Sequence, residues 1–187
     1  MKNKTPDFAY HMTKFFTEYL PIQRNLSPNS IATYRDTFRL LLLFYDTEKH
    51  IKPNLLTLDM LDVQGIEDFM LWLKKERNCG ASTCNQRLGA LKSFFRYLQF
   101  ALPDCALQCQ ENLAIRPMKQ PEPGLKYLTI DGIKLLLEQP DIKTKYGRRD
   151  LAILSLMYDT GARVQEIADI KIVHIRFSAP ATIRITG

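Results

Sequence analysis

Asp159-Thr160-Gly161-Ala162-Arg163-Val164-Gln165-Glu166-Ile167 sets an arginine just past a helix-breaking glycine. Upstream, Leu151, Leu154, Ser155, Leu156, Met157 and Tyr158 continue a helical apolar pattern that begins at Asp150, so Thr160-Gly161 reads as the C-terminal punctuation of a buried helix. A second helix follows, with Arg163 near its first turn and Ile167, Ile170 and Ile172 turned inward. Glu166 lies one turn on, within reach of the guanidinium. A cation at a helix N-terminus sits at the wrong end of the macrodipole, and the misfit points to a task. A planar fork of donors matches phosphate oxygens, which is what a site needs to clamp a phosphodiester and stabilise its transition state. A plain ion pair between Arg163 and Glu166 accounts for the same spacing without that task.

Around this stretch the chain predicts helices near 129–138, 147–159 and 163–171, then a strand near 181–186. Earlier, four longer helices are legible. Phe8, Met12, Phe15, Phe16 and Tyr19 recur at three and four from Asp7 to Leu20, and Pro21 stops them. Ser27 caps a second helix with Pro28 at its first position; it runs to about Glu48 with Ile31, Tyr34, Phe38, Leu41, Leu42 and Tyr45 inward. A third, Val63 to Arg77, turns Ile66, Phe69, Met70 and Leu73 inward with Trp72 on its flank. The fourth, capped by Ser82 after Cys79-Gly80, reaches Phe100 with Leu88, Leu91, Phe95 and Leu98 on the core side. Short loops between long amphipathic helices argue for a bundle. Pro103, Pro117, Pro121, Pro123 and Gly124 then interrupt a segment containing only short apolar groups, which predicts an extended tether.

The outer face of the fourth helix carries Ser82, Asn85, Gly89, Lys92 and Arg96 at spacings of three and four, with Gln86 and Arg87 beside it. Amides can read base edges while Lys and Arg grip phosphates, so this stripe fits a helix laid in a major groove; a solvated face fits it too. Thr33, Arg35 and Arg39 form a second candidate face on the second helix. Arg148-Arg149 either caps its helix from outside or meets the same polyanion, as do Arg116 and Lys119 if they are more than solvated tether charge.

These segments resemble the tyrosine recombinase (phage integrase) family. The family's first catalytic arginine sits in a Thr-Gly-x-Arg-x-x-Glu-[Leu/Ile] turn, filled here from Thr160 to Ile167. Tyr127-Leu128-Thr129-Ile130-Asp131-Gly132-Ile133-Lys134-Leu135-Leu136-Leu137 looks like the opening of that family's catalytic domain. Leu26 to Arg35 and Ser82 to Leu98 resemble two helices of its core-binding domain. The resemblance implies a mainly α chain with a SAM-like core-binding bundle over 1–105, a linker over 106–126, and over 127–187 the start of an α+β catalytic domain with three helices and its first strand. It makes Arg163 catalytic and Glu166 its support, turns Ser82, Asn85, Gln86, Arg87, Lys92, Arg96, Thr33, Arg35 and Arg39 toward DNA, and calls for no cofactor and no metal. Double-stranded DNA is the implied partner, with a homo-oligomer on DNA in the full-length parent, and neither a membrane nor a small-molecule substrate.

The family's lysine hairpin, His-x-x-Arg motif, further His or Trp, and nucleophilic tyrosine are expected after the strand, and do not follow in that order before Gly187. Tyr158 precedes Arg163 and reads as a core tyrosine; His174 stands where the family often carries an acidic residue. The expectation is therefore a chain that binds a duplex without cutting it, from a parent that breaks and rejoins strands. Two other readings stay open: an active enzyme whose remaining residues lie beyond this stretch, and an all-helical protein-interaction module without a nucleic-acid role.

Composition is compatible with each. A net charge of +6 over 187 residues favours polyanions, and it is spread evenly, with 14 basic and 11 acidic residues before Ala106 and 12 and 9 from it onward. No apolar run approaches the roughly 20 residues that span a bilayer, and no apolar segment follows the N-terminal lysines, so the expected place is the cytoplasm, on the nucleoid. Cys79, Cys84, Cys105 and Cys109 form no Cys-x-x-Cys pair and read as reduced, partly buried thiols.

Overall fold

The Ser27 hydroxyl accepts the Ser30 backbone N–H, and Pro28, which has no N–H to lose, opens the longest early helix, Pro28–Thr47 (α2). In the computed structural model, which describes residues 7–120, 124 and 127–186, α2 belongs to the first of two units, Met1–Glu122 and Pro123–Gly187. Ahead of it stand α1 (Asp7–Lys14) and a π-helical continuation, Phe15–Gln23. Pro21 does not stop this helix. In the wider π turn the i→i−4 bond that proline disrupts is already given up, so the ring is accommodated in the last turns. After two short 3-10 turns come α3 (Val63–Lys75), capped by the Asp62 carboxylate on the Gly65 N–H at 2.7 Å, and α4 (Ala81–Ala101). The N-cap of α4 is Gly80 rather than Ser82, which falls one residue inside the helix and is exposed.

The core of this unit is aromatic. Phe8, Phe15, Phe38 and Phe94 are each at most 2% exposed; Phe8 and Phe38 stack while the other pairs meet edge-on or tilted, with Phe15–Phe94 and Phe38–Phe94 centroids 5.2 Å apart. Each such pair contributes about 0.5–1.5 kcal/mol beyond its buried area. The expected inward residues Leu88, Leu91, Phe95 and Leu98 of α4 and Ile66, Phe69, Met70 and Leu73 of α3 are all buried; on α2, Ile31, Tyr34 and Leu42 are half-buried, while Thr37, Leu40 and Phe44 are buried. A Cβ at Gly65 would collide with the Tyr45 hydroxyl, which donates to the Met60 carbonyl at 2.7 Å.

The stretch expected to begin a tether folds instead. Ala106–Ala114 is a fifth helix (α5), packed on α4 through buried Cys109 and half-buried Leu113 and held as well by polar groups. Asn112, fully buried, donates to the Leu61 and Gln108 carbonyls at 2.8 and 3.0 Å, and Gln108 donates to Leu58 at 2.8 Å. Beyond α5 the chain is extended through Ile115, which is buried. The prolines at 121 and 123, and Lys126, lie outside the described residues. All four cysteines are free, with Cys84 and Cys109 buried and Cys79 and Cys105 half-buried; burial pushes the Cys109 thiol up to about 11.

In the second unit Thr129 caps α6 (Ile130–Glu138), Thr144 caps α7 (Lys145–Thr160), and α8 (Val164–Ala168) ends sooner than expected, followed by a 3-10 turn over Ile172–His174. The strand expected over 181–186 narrows to β2 (Thr182–Ile183), antiparallel to β1 (Ile175–Arg176) with Ile175 opposite Ile183. The burial expected here is not found. Leu151, Leu154 and Met157 are half-buried, Tyr158 is 57% exposed and no core residue, and of the three isoleucines expected inward Ile167 and Ile170 are half-buried while Ile172 is 84% exposed. Among the described residues no helix is long and apolar enough to cross a membrane.

Candidate nucleic-acid interface

Two basic faces meet on the first unit. On α2, Arg35 and Arg39 are exposed, and Asp36 between them bridges to Arg39 at 2.8 Å and, across to α4, to Arg87 at 3.1 Å. Arg87, with Arg39 after it, holds the Asp36 carboxyl below the usual carboxylate range, so one anion organises two cations. Arg87 is only 16% exposed by side chain and acts as a clip between helices, whereas Arg39 is 77% exposed and presents the rest of its guanidinium to solvent. Thr33 turns its hydroxyl back to the Asn29 carbonyl. Arg77, at the end of the Lys74-Lys75-Glu76-Arg77 run, lines one hollow with Arg39 and was not singled out from sequence. The run was legible as charge, but its neighbour across the fold was not.

On α4 the stripe divides. Ser82, Gln86, Gly89 and Arg96 are exposed, and a Cβ at Gly89 would meet nothing within 4 Å. Asn85 and Lys92 are occupied within the chain. Asn85 donates to the Met118 carbonyl and accepts the Met118 N–H, each at 2.8 Å, and Lys92 Nζ donates to the Ile115 carbonyl at 2.6 Å. Burial, and then the neighbouring Arg96 charge, lower the Lys92 pKa. The outer face of α4 thus has an open strip and, beside it, a strip that holds the chain leaving α5.

In the second unit Gly161 takes a left-handed conformation, φ 65°, and its N–H returns to the Met157 carbonyl, a glycine stop for α7. The next turn places Arg163 as the N-cap of α8. Glu166 accepts the Arg163 backbone N–H at 2.8 Å and its guanidinium at 2.7 Å. Those contacts, the backbone one first, hold the Glu166 carboxyl below its usual range. The Arg163 side chain is nevertheless 83% exposed. Glu166 therefore fixes the arginine's direction while part of the donor fork stays open to solvent. Of the neighbouring pair, Arg148 closes on the Ile142 and Lys143 carbonyls and Arg149 on Asp150. Among the described residues no group of three or more His, Cys, Asp or Glu is placed to hold a metal ion.

Residues 14–100 match the model of the phage integrase N-terminal SAM-like domain. A putative integrase/recombinase of Sinorhizobium fredii, y4rC, is 35% identical over 184 residues, 98% of this chain and 55% of its own length. The tyrosine recombinase XerD of Listeria monocytogenes is 31% identical over 157 residues, 83% of this chain and 50% of its own. The tyrosine recombinase XerC of Oceanobacillus iheyensis is 28% identical over 177 residues, 92% of this chain and 53% of its own. The chain spans about half the length of the curated relatives it matches.

Proposed function

The chain belongs to the tyrosine recombinase (phage integrase) family, and from that premise we propose that its first unit is a core-binding domain that grips duplex DNA for site-specific recombination. The observation that carries the reading is the overlap of the SAM-like match with the bundle on which Arg35, Arg39, Arg77, Gln86 and Arg96 are exposed. Guanidinium groups on two adjacent helices suit phosphates on either side of a groove, and Gln86 and Ser82 supply the neutral hydrogen-bonding groups that can address base edges.

The second unit is, in this proposal, the opening of the catalytic domain, with Arg163 as a phosphate clamp and Glu166 as its support. Its task belongs to the step in which charge develops on the phosphoryl oxygens, so Arg163→Ala should leave most duplex affinity intact. Phosphoryl transfer needs nucleophile, general acid and clamp in one geometry, and Arg163 is one member of that set. The 187-residue polypeptide alone is therefore expected to bind a duplex without cleaving it; a covalent adduct trapped on a nicked site would refute this.

The binding itself is tested by salt. Each phosphate contact releases counterions and adds roughly 0.9 to the slope of log affinity against log salt. Arg35→Gln with Arg39→Gln and Arg96→Gln should lower that slope by roughly three. A folded wild-type chain with no salt-sensitive duplex affinity would instead favour the protein-interaction module.

A further inference from the structure

The extended segment after α5 is measured against α4. Asn85 and Lys92 stand two helical turns apart, about 10.5 Å of rise, and the three residue steps from Ile115 to Met118 span about 10 Å when extended. The match lets the segment run antiparallel to the helix, latched at one end by two bonds from the Asn85 amide and at the other by the Lys92 ammonium. Its side chains alternate with period three. Ile115 is buried and Met118 half-buried, lining a hollow with Glu67, Met70, Leu71 and Leu88; Arg116 borders the same hollow but is exposed, as is Lys119. Pro117 between them suits a three-residue, polyproline-like repeat, which sets the two cations on one edge about 9 Å apart. Among the described residues neither makes an ion pair. The strap therefore lays two unspent charges alongside α4, the helix whose open strip carries Arg96.

We propose that Arg116 and Lys119 are phosphate-contacting residues of the duplex-binding surface, and that Asn85 is the positioning residue that sets them there by clasping Met118 to α4. This rests on the reading that the first unit binds a duplex. A charge on an unlatched segment would visit many positions and hold a phosphate only part of the time; latched, its ordering entropy is already spent before DNA arrives. The clasp thus turns tether charge into interface charge, and it gives the outward-facing Asn85 a role other than reading bases.

The test uses the whole chain and a mixed-sequence 30-base-pair duplex, with the salt slope of affinity as readout. Arg116→Gln with Lys119→Gln, both at exposed sites, should lower the slope by roughly two. Asn85→Ala removes no charge, yet should lower it by roughly one to two, while hydrogen exchange reports loss of protection at the Met118 N–H and circular dichroism an intact helical fold. A merely structural Asn85 would alter exchange and melting but leave the slope of its folded form at the wild-type value. That result, or an unchanged slope in the double glutamine variant, overturns the inference. If the wild-type chain binds with a slope that Arg39→Gln reduces, and neither strap variant changes it, only this inference falls. If the wild-type chain shows no salt-dependent binding, the duplex reading falls and takes this one with it.

Discussion

The two units are written in the same alphabet of amphipathic helices, yet only one of them closes. Every buried apolar side chain of the described residues lies at or before Ile115. From Tyr127 onward, the helices built on Ile133, Leu136, Leu137, Leu151, Leu154 and Met157 stay half-covered or open, and Tyr127, Ile172, Val173 and Phe177 are 80–84% exposed. Periodicity specifies which face of a helix is apolar; it does not specify that a partner face exists to cover it. At about 25 cal/mol per Å² the uncovered area forfeits several kcal/mol, which is comparable with the whole stability of a small domain.

The comparison breaks most visibly under truncation of the side chains at the two centres. Phe94→Ala should cost about 3–5 kcal/mol in denaturant unfolding, because Phe94 touches Phe8, Phe15 and Phe38 and leaves a cavity none of them can fill. Leu136→Ala, at a site 41% exposed, should cost well under about 1.5 kcal/mol. Equal costs would mean the second unit is as well packed as the first.

A polar substitution sharpens the edge of the first unit. Asn112→Ala should cost about 1–3 kcal/mol, since it strands the buried Leu61 carbonyl and frees α5. A neutral result would return residues 106–114 to the status of a tether.

That helix also marks the limit of what could be read from residues. Ser27, Thr129 and Gly161 announced their helix ends correctly because each acts through a local hydrogen bond or a local φ. The second helix and the inward faces of the third and fourth followed from spacing. But α5 lies between prolines 103 and 117 and is secured in part by Asn112 and Gln108 reaching loops some fifty residues back, a tertiary fact without a local pattern. The same holds at the site. The Arg163–Glu166 pairing follows from three-residue spacing, whereas Asn85 and Lys92 looked free because the extended segment they hold comes from beyond the helix. Pro21 and Tyr158 misled for different reasons: a π turn tolerated the proline, and Tyr158, though it borders an apolar hollow with Leu154 and Met157, is left uncovered there.

Acid should separate the units as well. His11 is 7% exposed, with Nδ1 3.3 Å from the Tyr97 hydroxyl, and burial lowers its pKa, partly opposed by Asp7 and assisted by Lys14. The unfolded chain then binds more protons than the folded one. Stability of the first unit is therefore fully present above the ordinary histidine range, near 6.5, and declines as pH falls through it toward the lowered folded value. His11→Gln should flatten that decline in thermal melts taken between pH 7 and 5; an unchanged decline would assign it to carboxylates.

The smallest effect concerns the open strip. Gly89→Ala should stabilise the first unit by about 0.4–1 kcal/mol, because nothing in the chain contests the added methyl and a mid-helix glycine is entropically costly. If the strip lies against a duplex, the same change weakens binding despite the gain in stability. Unchanged or tighter binding would place Gly89 outside the interface, and a loss of stability would mean the added methyl is contested within the chain.

The most direct measurement of the central claim is duplex binding by residues 1–120 alone, followed as affinity against salt beside the whole chain. The aromatic core, α5 and the strap all lie inside that fragment. It should unfold cooperatively and keep most of the salt slope. A fragment that folds yet binds no duplex, or that needs the second unit in order to fold, would contradict a self-contained DNA-gripping bundle.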